Sequence, residues 1–182
     1  MKTIFAISII CFHLTLISAQ NYHPMLSESK IKWKGYGEVG GFTQSGTINL
    51  KNAFLTYDGS KLSGKIIIDM STINHKDKEL EKHLKNKDFF NVIKYPTSTF
   101  TIISYDMKEV KGILELNGFS KEVNIDVHFS KVKNQLTING KANIDRTQFN
   151  IKYNSASYFQ DLGNYAIKNE FDLEFELLFK KV

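Results

Sequence analysis

The chain has 182 residues, a formal charge of +5 and an apolar fraction of 42%, with 13% aromatics, 2 Pro and 1 Cys. That balance excludes a collagen, a low-complexity tail and a disulfide scaffold, and the length suits one domain with a real core. The charge invites a nucleic-acid partner, but Arg146 is the only arginine. Phosphate and base-edge recognition favours the guanidinium fork, so a lysine-rich chain with one arginine argues against nucleic acid.

The first segment stands apart. Met1-Lys2-Thr3 is a short basic start, and Ile4 to Ile17 is an apolar run too short for a comfortable membrane span. Ile17-Ser18-Ala19 then precedes Gln20. This is the layout of a secretory signal peptide over residues 1–19, and it predicts export to a periplasm or beyond. Cleavage would leave 163 residues with a net charge of +4. Cys11 lies inside this segment and follows Ile10, where a lipid-attachment motif needs a small residue. The mature chain then has no thiol for disulfides, catalysis or metal binding.

Residues 20–27 read as a flexible leader, and the domain as 28–182. From Glu28 onward the hydrophobic period is two. Ile66, Ile68 and Met70 share a face, as do Phe100 and Ile102, Leu114 and Leu116, then Val123, Ile125, Val127 and Phe129. Leu136, Ile138, Ala142 and Ile144 follow, then Phe171, Leu173, Phe175, Leu177 and Phe179. Short turns at Asp58-Gly59-Ser60, Asn117-Gly118 and Lys133-Asn134 predict hairpins between neighbours. Sequential hairpins of long amphipathic strands predict an antiparallel meander, which closes into a barrel to remove its edges. One segment departs from this. Asn74 to Lys87 is charge-rich with Leu80 and Leu84 four apart, and Glu79–His83 and Glu81–Lys85 add helical support. It predicts one inserted helix over an open barrel end.

Few residues point to catalysis or metal. His23, His75, His83 and His128 show no zinc spacing, and no GxSxG elbow occurs. Asp126 and His128 share the polar face of one strand, a dyad geometry in principle. Gly35, Gly37, Gly40 and Gly41 mark bends and bulges rather than a phosphate loop. Arg146 follows Asp145 at a strand end. Two readings stay open for it: a bidentate bridge to a carboxylate that pins the strand, or an anchor for an anionic head group at the barrel mouth.

Three ordered motifs then carry a resemblance. His83-Leu84, Asp88-Phe89-Phe90-Asn91-Val92, Tyr95-Pro96-Thr97 and Phe100 resemble the "HL…DFFDV…YPTA.F" block of the YceI-like family. Gly112 to Lys121 is similar to its "G.LTI.G.TK" strand-turn-strand, and Asp145-Arg146-Thr147-Gln148-Phe149-Asn150-Ile151 to its "DR..FGI" element, with Asn150 where the family usually has Gly. The resemblance implies a mainly all-β chain, an extended eight-stranded antiparallel lipocalin-like barrel. It implies a carrier, not an enzyme, that holds a polyisoprenoid, a quinone-type lipid or a similar amphipathic lipid in an apolar pore; no cofactor is expected beyond that ligand, and the histidine spacing predicts no metal. By alternation, the pore residues are Phe100, Ile102, Leu114, Leu116, Val123, Ile125, Leu136 and Ile138. Phe89, Phe90 and Tyr95 form a lid or staple the helix, and Arg146 completes the set. Transient membrane contact and a homodimer are compatible with this reading. Two alternatives stand beside it: an envelope interaction module with a filled core, and a lipid-acting enzyme.

Overall fold

The computed structural model describes residues 19–182. The expected signal segment therefore lies outside the described residues, Ala19 excepted. Strands dominate: β1 (Gln20–Pro24), β2 (Lys30–Gly37), β3 (Thr43–Tyr57), β4 (Leu62–Asn74), β5 (Thr97–Tyr105), β6 (Glu109–Leu116), β7 (Phe119–Val132), β8 (Gln135–Asp145) and β9 (Ile167–Lys181). All pairings are antiparallel, and from β3 to β9 neighbours in sequence are neighbours in the sheet. β2 pairs with both β3 and β9, so the sheet closes on itself as an eight-stranded barrel.

The three expected hairpins are present. Asn117 and Gly118 both have positive φ, the backbone that a two-residue turn between twisted strands requires. The register shifts against β9 between Gly35 and Gly37, and Gly40 and Gly41 lie in the turn before β3.

One boundary is corrected. Residues 20–27 do not form a flexible leader, because Gln20–Pro24 is a strand hydrogen-bonded to β3 on one side and β9 on the other. β1 and β2 share one strand position, interrupted by the excursion Met25–Ser29. The excursion keeps β9 paired: Met25 N–H donates to the Leu178 carbonyl (2.7 Å), and Leu178 N–H donates to Ser29 Oγ (3.0 Å). Five residues with only Tyr22 buried are too few to show a period of two, and both partners of β1 are remote in sequence.

The inserted helix is shorter than the sequence suggests. α1 spans Lys78–Lys85, because β4 runs on to Asn74 and Asp77 caps the helix by accepting from Glu79 N–H and Leu80 N–H.

The core divides along the barrel axis. At the end built from the β3–β4, β5–β6 and β7–β8 hairpins, Tyr57, Tyr105 and Phe129 pack with ring centroids 4.7 to 6.1 Å apart. Burial there pushes the Tyr105 phenol up to about 12, with Tyr57 adding to the shift. Tyr22, Leu136 and Phe179 are almost wholly buried in the core. Tyr22→Ala is expected to lower the unfolding free energy by about 3 kcal/mol, read by urea denaturation; a loose leader would leave the midpoint unmoved.

Candidate functional site: an apolar cavity beneath a helical lid

The other half of the barrel is hollow. A cavity of about 190 Å³ is lined on one side by β9 residues between Ile167 and Leu177. Its wall includes Trp33 from β2, Ile68 from β4, Phe100 from β5, Leu114 from β6, Ile144 from β8 and Phe171 from β9. At one end it reaches the exposed residues Lys168 and Glu170. Toward the other end it gives way to the packed core.

The inward set follows from strand alternation, and it is apolar because every second position is. Two polar side chains in the wall, Ser98 and Arg146, already have partners, whereas the buried Trp33 Nε1 has none. Ser98 Oγ donates to the Glu115 carbonyl (2.7 Å). Arg146, 2% exposed, donates from Nε to the Lys168 carbonyl (3.1 Å), from Nη1 to that of Ile151 (2.8 Å) and from Nη2 to that of Ile167 (3.0 Å). The expected carboxylate bridge is therefore corrected to three main-chain carbonyls. Asp145 is unavailable to Arg146 because it caps the 3-10 turn Arg146–Phe149, accepting from Thr147 N–H and the Thr147 hydroxyl. The chain then leaves this turn through Asn150 in the left-handed region (φ 61°), a backbone that Asn tolerates where the family usually has Gly. Burial lowers the Arg146 guanidinium to about 10, while Asp145 and Glu170 partly oppose the shift.

A lid closes over this end. Leu84 of α1 and Phe89 and Phe90 from the turns after it line the cavity. Phe89 lies under the Arg146 guanidinium (5.6 Å) and near Tyr153 (6.1 Å), and Tyr153 packs edge-on against His83 (4.5 Å). Phe90 packs edge-on to Phe171 (6.3 Å). The lid backbone is tightly bonded to the helix end: Phe90 N–H donates to Leu84, Asn91 N–H to Asn86 and Val92 N–H to Lys85. Glu81 ties α1 to the end of β4, accepting from Lys78 (2.8 Å), Lys85 (3.0 Å) and the His75 N–H (3.2 Å). Lys78, then Lys85, then the His75 N–H hold its carboxyl down at about 2.

The sequence-derived candidates divide in two. Phe100, Leu114, Leu116, Ile125, Phe89, Phe90 and Arg146 line the cavity. Ile102, Val123, Leu136, Ile138 and Tyr95 do not. Leu136 and Ile138 are buried in the core, and Ile102 and Val123 pack against it. The Phe100 ring lies over Gly112, the residue that pairs with both Ile102 and Val123. Tyr95 is a staple rather than a wall: its ring sits against Gly118 in the β6–β7 turn, where a Cβ would come within 2.6 Å of it. The candidates came from β5 to β8, and so missed Ile31 and Trp33 of β2 and Phe171, Leu173, Phe175 and Leu177 of β9. The alternation of β9 was the signal that could have found four of these six.

The histidines form no common site, and no metal-ligand cluster occurs among the described residues. His75 accepts from Asp77 N–H (3.0 Å), capping the approach to α1. Asp126 and His128 are exposed on the outer face of β7, away from the cavity.

The model of the YceI-like domain matches residues 22–179. The chain is similar to a UPF0312 protein of Yersinia enterocolitica, 29% identical over 88% of this chain and 83% of that one. It is 32% identical to a UPF0312 protein of Pseudomonas aeruginosa over 60% of this chain, a match that spans only 58% of that relative's length. Among solved structures, BcnA of Burkholderia cenocepacia superposes with a TM-score of 0.69 at 20% identity, covering 85% of this chain and 98% of that one. A polyisoprenoid binding domain from Saccharophagus degradans gives 0.66 at 11% identity, covering 88% and 98%. At those identities the likeness establishes the fold.

Two measurements test the site's supports. Arg146→Lys keeps the charge but loses the fork; leaving carbonyls without donors is expected to cost on the order of 3 kcal/mol, read by urea denaturation. Glu81 titrates lower in the folded chain than its ordinary value of 4.5. Its contribution is thus present above about 4.5 and lost as the pH falls toward about 2. Limited proteolysis of the lid should accelerate across that window, and Glu81→Gln should flatten the dependence.

Proposed function

Because the chain belongs to the YceI-like domain family, we propose that it is an exported lipid-binding protein that holds the tail of a polyisoprenoid or quinone-type lipid inside the barrel. The observation that carries this reading is the cavity: apolar and bounded by a lid, with Ser98 and Arg146 in its wall already hydrogen-bonded. Such a wall rewards an aliphatic tail and, Trp33 Nε1 aside, offers little to a polar solute. Tail burial contributes about 0.8 kcal/mol per CH₂. Association itself costs an estimated 4–15 kcal/mol, so roughly five to twenty buried methylenes are needed to break even.

In this reading Phe100, Leu114, Leu116 and Ile125 contact the tail, and Phe89 and Phe90 cover its end. Arg146 fixes the wall around it, its three carbonyl bonds supporting a structural role. The layout of residues 1–19 supports export. The hollow half of the barrel speaks against a module with a filled core. The outward placement of Asp126 and His128 speaks against a lipid-acting enzyme.

Organic extraction of protein purified from its own host, followed by mass spectrometry, should return one long-chain lipid class in near-stoichiometric amount. Ala142→Phe places a ring in the cavity wall, at an overpacking cost of about 1–3 kcal/mol. The folded variant should return none of that lipid. Wild-type protein that carries no lipid and takes up none in vitro would refute the proposal.

A further inference from the structure

We propose that two apolar loop tips beside the cavity mouth dock the barrel onto a phospholipid bilayer, so that cargo moves between membrane and cavity without crossing water. This rests on the lipid-carrier reading above and adds the surface through which loading occurs.

The tips are the β2–β3 turn, with Val39 and Phe42, and the loop before β9, with Tyr158, Phe159 and Tyr165. These five side chains are 49% to 79% exposed. Both tips are fastened to one cavity-lining residue, Ile167. Gly37 pairs with Ile167, Glu38 N–H donates to the adjoining Ala166 carbonyl (2.9 Å), and Ile167 N–H donates to the Asn154 carbonyl (2.8 Å). The exposed groups therefore flank the cavity mouth itself.

The tips are also held in place. Gly37 N–H donates to the Phe42 carbonyl (2.8 Å), closing the first turn. In the second, fully buried Ser155 accepts at its carbonyl from Tyr158 N–H and Phe159 N–H, and its hydroxyl donates to Asn169 (2.6 Å). Hydrogen bonds to a buried anchor thus fix the loop that leaves two aromatic rings in solvent.

The chemistry favours a bilayer. Aromatic side chains settle at the membrane–water interface, with tyrosine hydroxyls at head-group level. Lys152 lies over the Tyr158 ring (4.5 Å), placing a cation beside the same face. Around the mouth Lys34, Arg146, Lys152 and Lys168 face Glu38, Asp145, Asp161, Glu170 and Asp172, while the lid sets six lysines against Asp77, Glu79, Glu81 and Asp88. The positive excess is therefore carried by the lid, the part of the mouth end complementary to anionic lipid. Ile93, 98% exposed, adds an apolar side chain on the lid, whereas Phe54 on β3 is exposed near the Tyr57 end of the barrel, away from the mouth.

The test uses sedimentation with vesicles of phosphatidylethanolamine and phosphatidylglycerol. The probes are wild-type protein, Phe42→Ser combined with Phe159→Ser, and Phe54→Ser as the control. The double variant should lose vesicle binding at least about tenfold, with Phe54→Ser unchanged and all three unfolding at similar urea concentrations. Loading of a long-chain isoprenoid alcohol is read in parallel, from solvent and from vesicles. The double variant should load normally from solvent and slowly from vesicles. Wild-type protein that fails to load from solvent counts against the carrier reading alone, because vesicle binding is measured separately. Equal vesicle binding by wild type and double variant overturns the docking proposal. So does a wild type that ignores vesicles but dimerises through the rim, seen as monomers of the double variant in sedimentation equilibrium.

Discussion

The architecture depends on the pairing of β2 with both β3 and β9. An open sheet of these strands would leave two edges with unpaired N–H and C=O groups, whereas the closed one has none. Closure also decides what the inward residues meet. Each strand commits its apolar face to one enclosed axis, so the space inside must be filled by side chains or remain hollow. This chain does both, at opposite ends.

The difference between the ends lies in which side chains occupy the axis. Where the three long hairpins turn, Tyr57, Tyr105 and Phe129 meet across the barrel and the core around Leu136 and Phe179 is solid. Toward α1 the inward residues stop short of the axis, and the remaining space is covered from above by Leu84, Phe89 and Phe90. The lid is thus a substitute for a plug. It is held by bonds that solvent conditions can alter: one carboxylate, Glu81, joins helix to strand. Arg146 performs the matching task on the opposite side, gathering the carbonyls of Ile151, Ile167 and Lys168 around one buried cation.

Much of the fold was legible because period-two alternation is a local property. The strands from β4 onward, the three hairpins and the helix between β4 and β5 followed from short windows. β1 was missed because its evidence is non-local: a single buried Tyr22 acquires meaning only beside β3 and β9. The site was less legible for a related reason. Alternation says which face is inward but not how deep along the axis a residue lies. Leu136 and Leu114 have the same pattern, yet one is in the packed core and the other lines the cavity. Ring placement compounds this, since Phe100 reaches across to Gly112 and changes what its neighbours can line. The motif Asp145-Arg146 signalled an unusual arginine, but its partners are backbone oxygens, which no side-chain pattern announces.

The seam between β9 and the β1–β2 position has a kinetic consequence. β9 ends at Lys181 and pairs with strands that begin at Gln20, so these contacts are among those most distant in sequence. Such pairings carry the largest loop-closure cost and come late in folding. If this seam closes last, the chain before closure is a trough with its apolar floor exposed. A tail lying in that trough when the final strand arrives would be enclosed by folding itself, without any lid having to open.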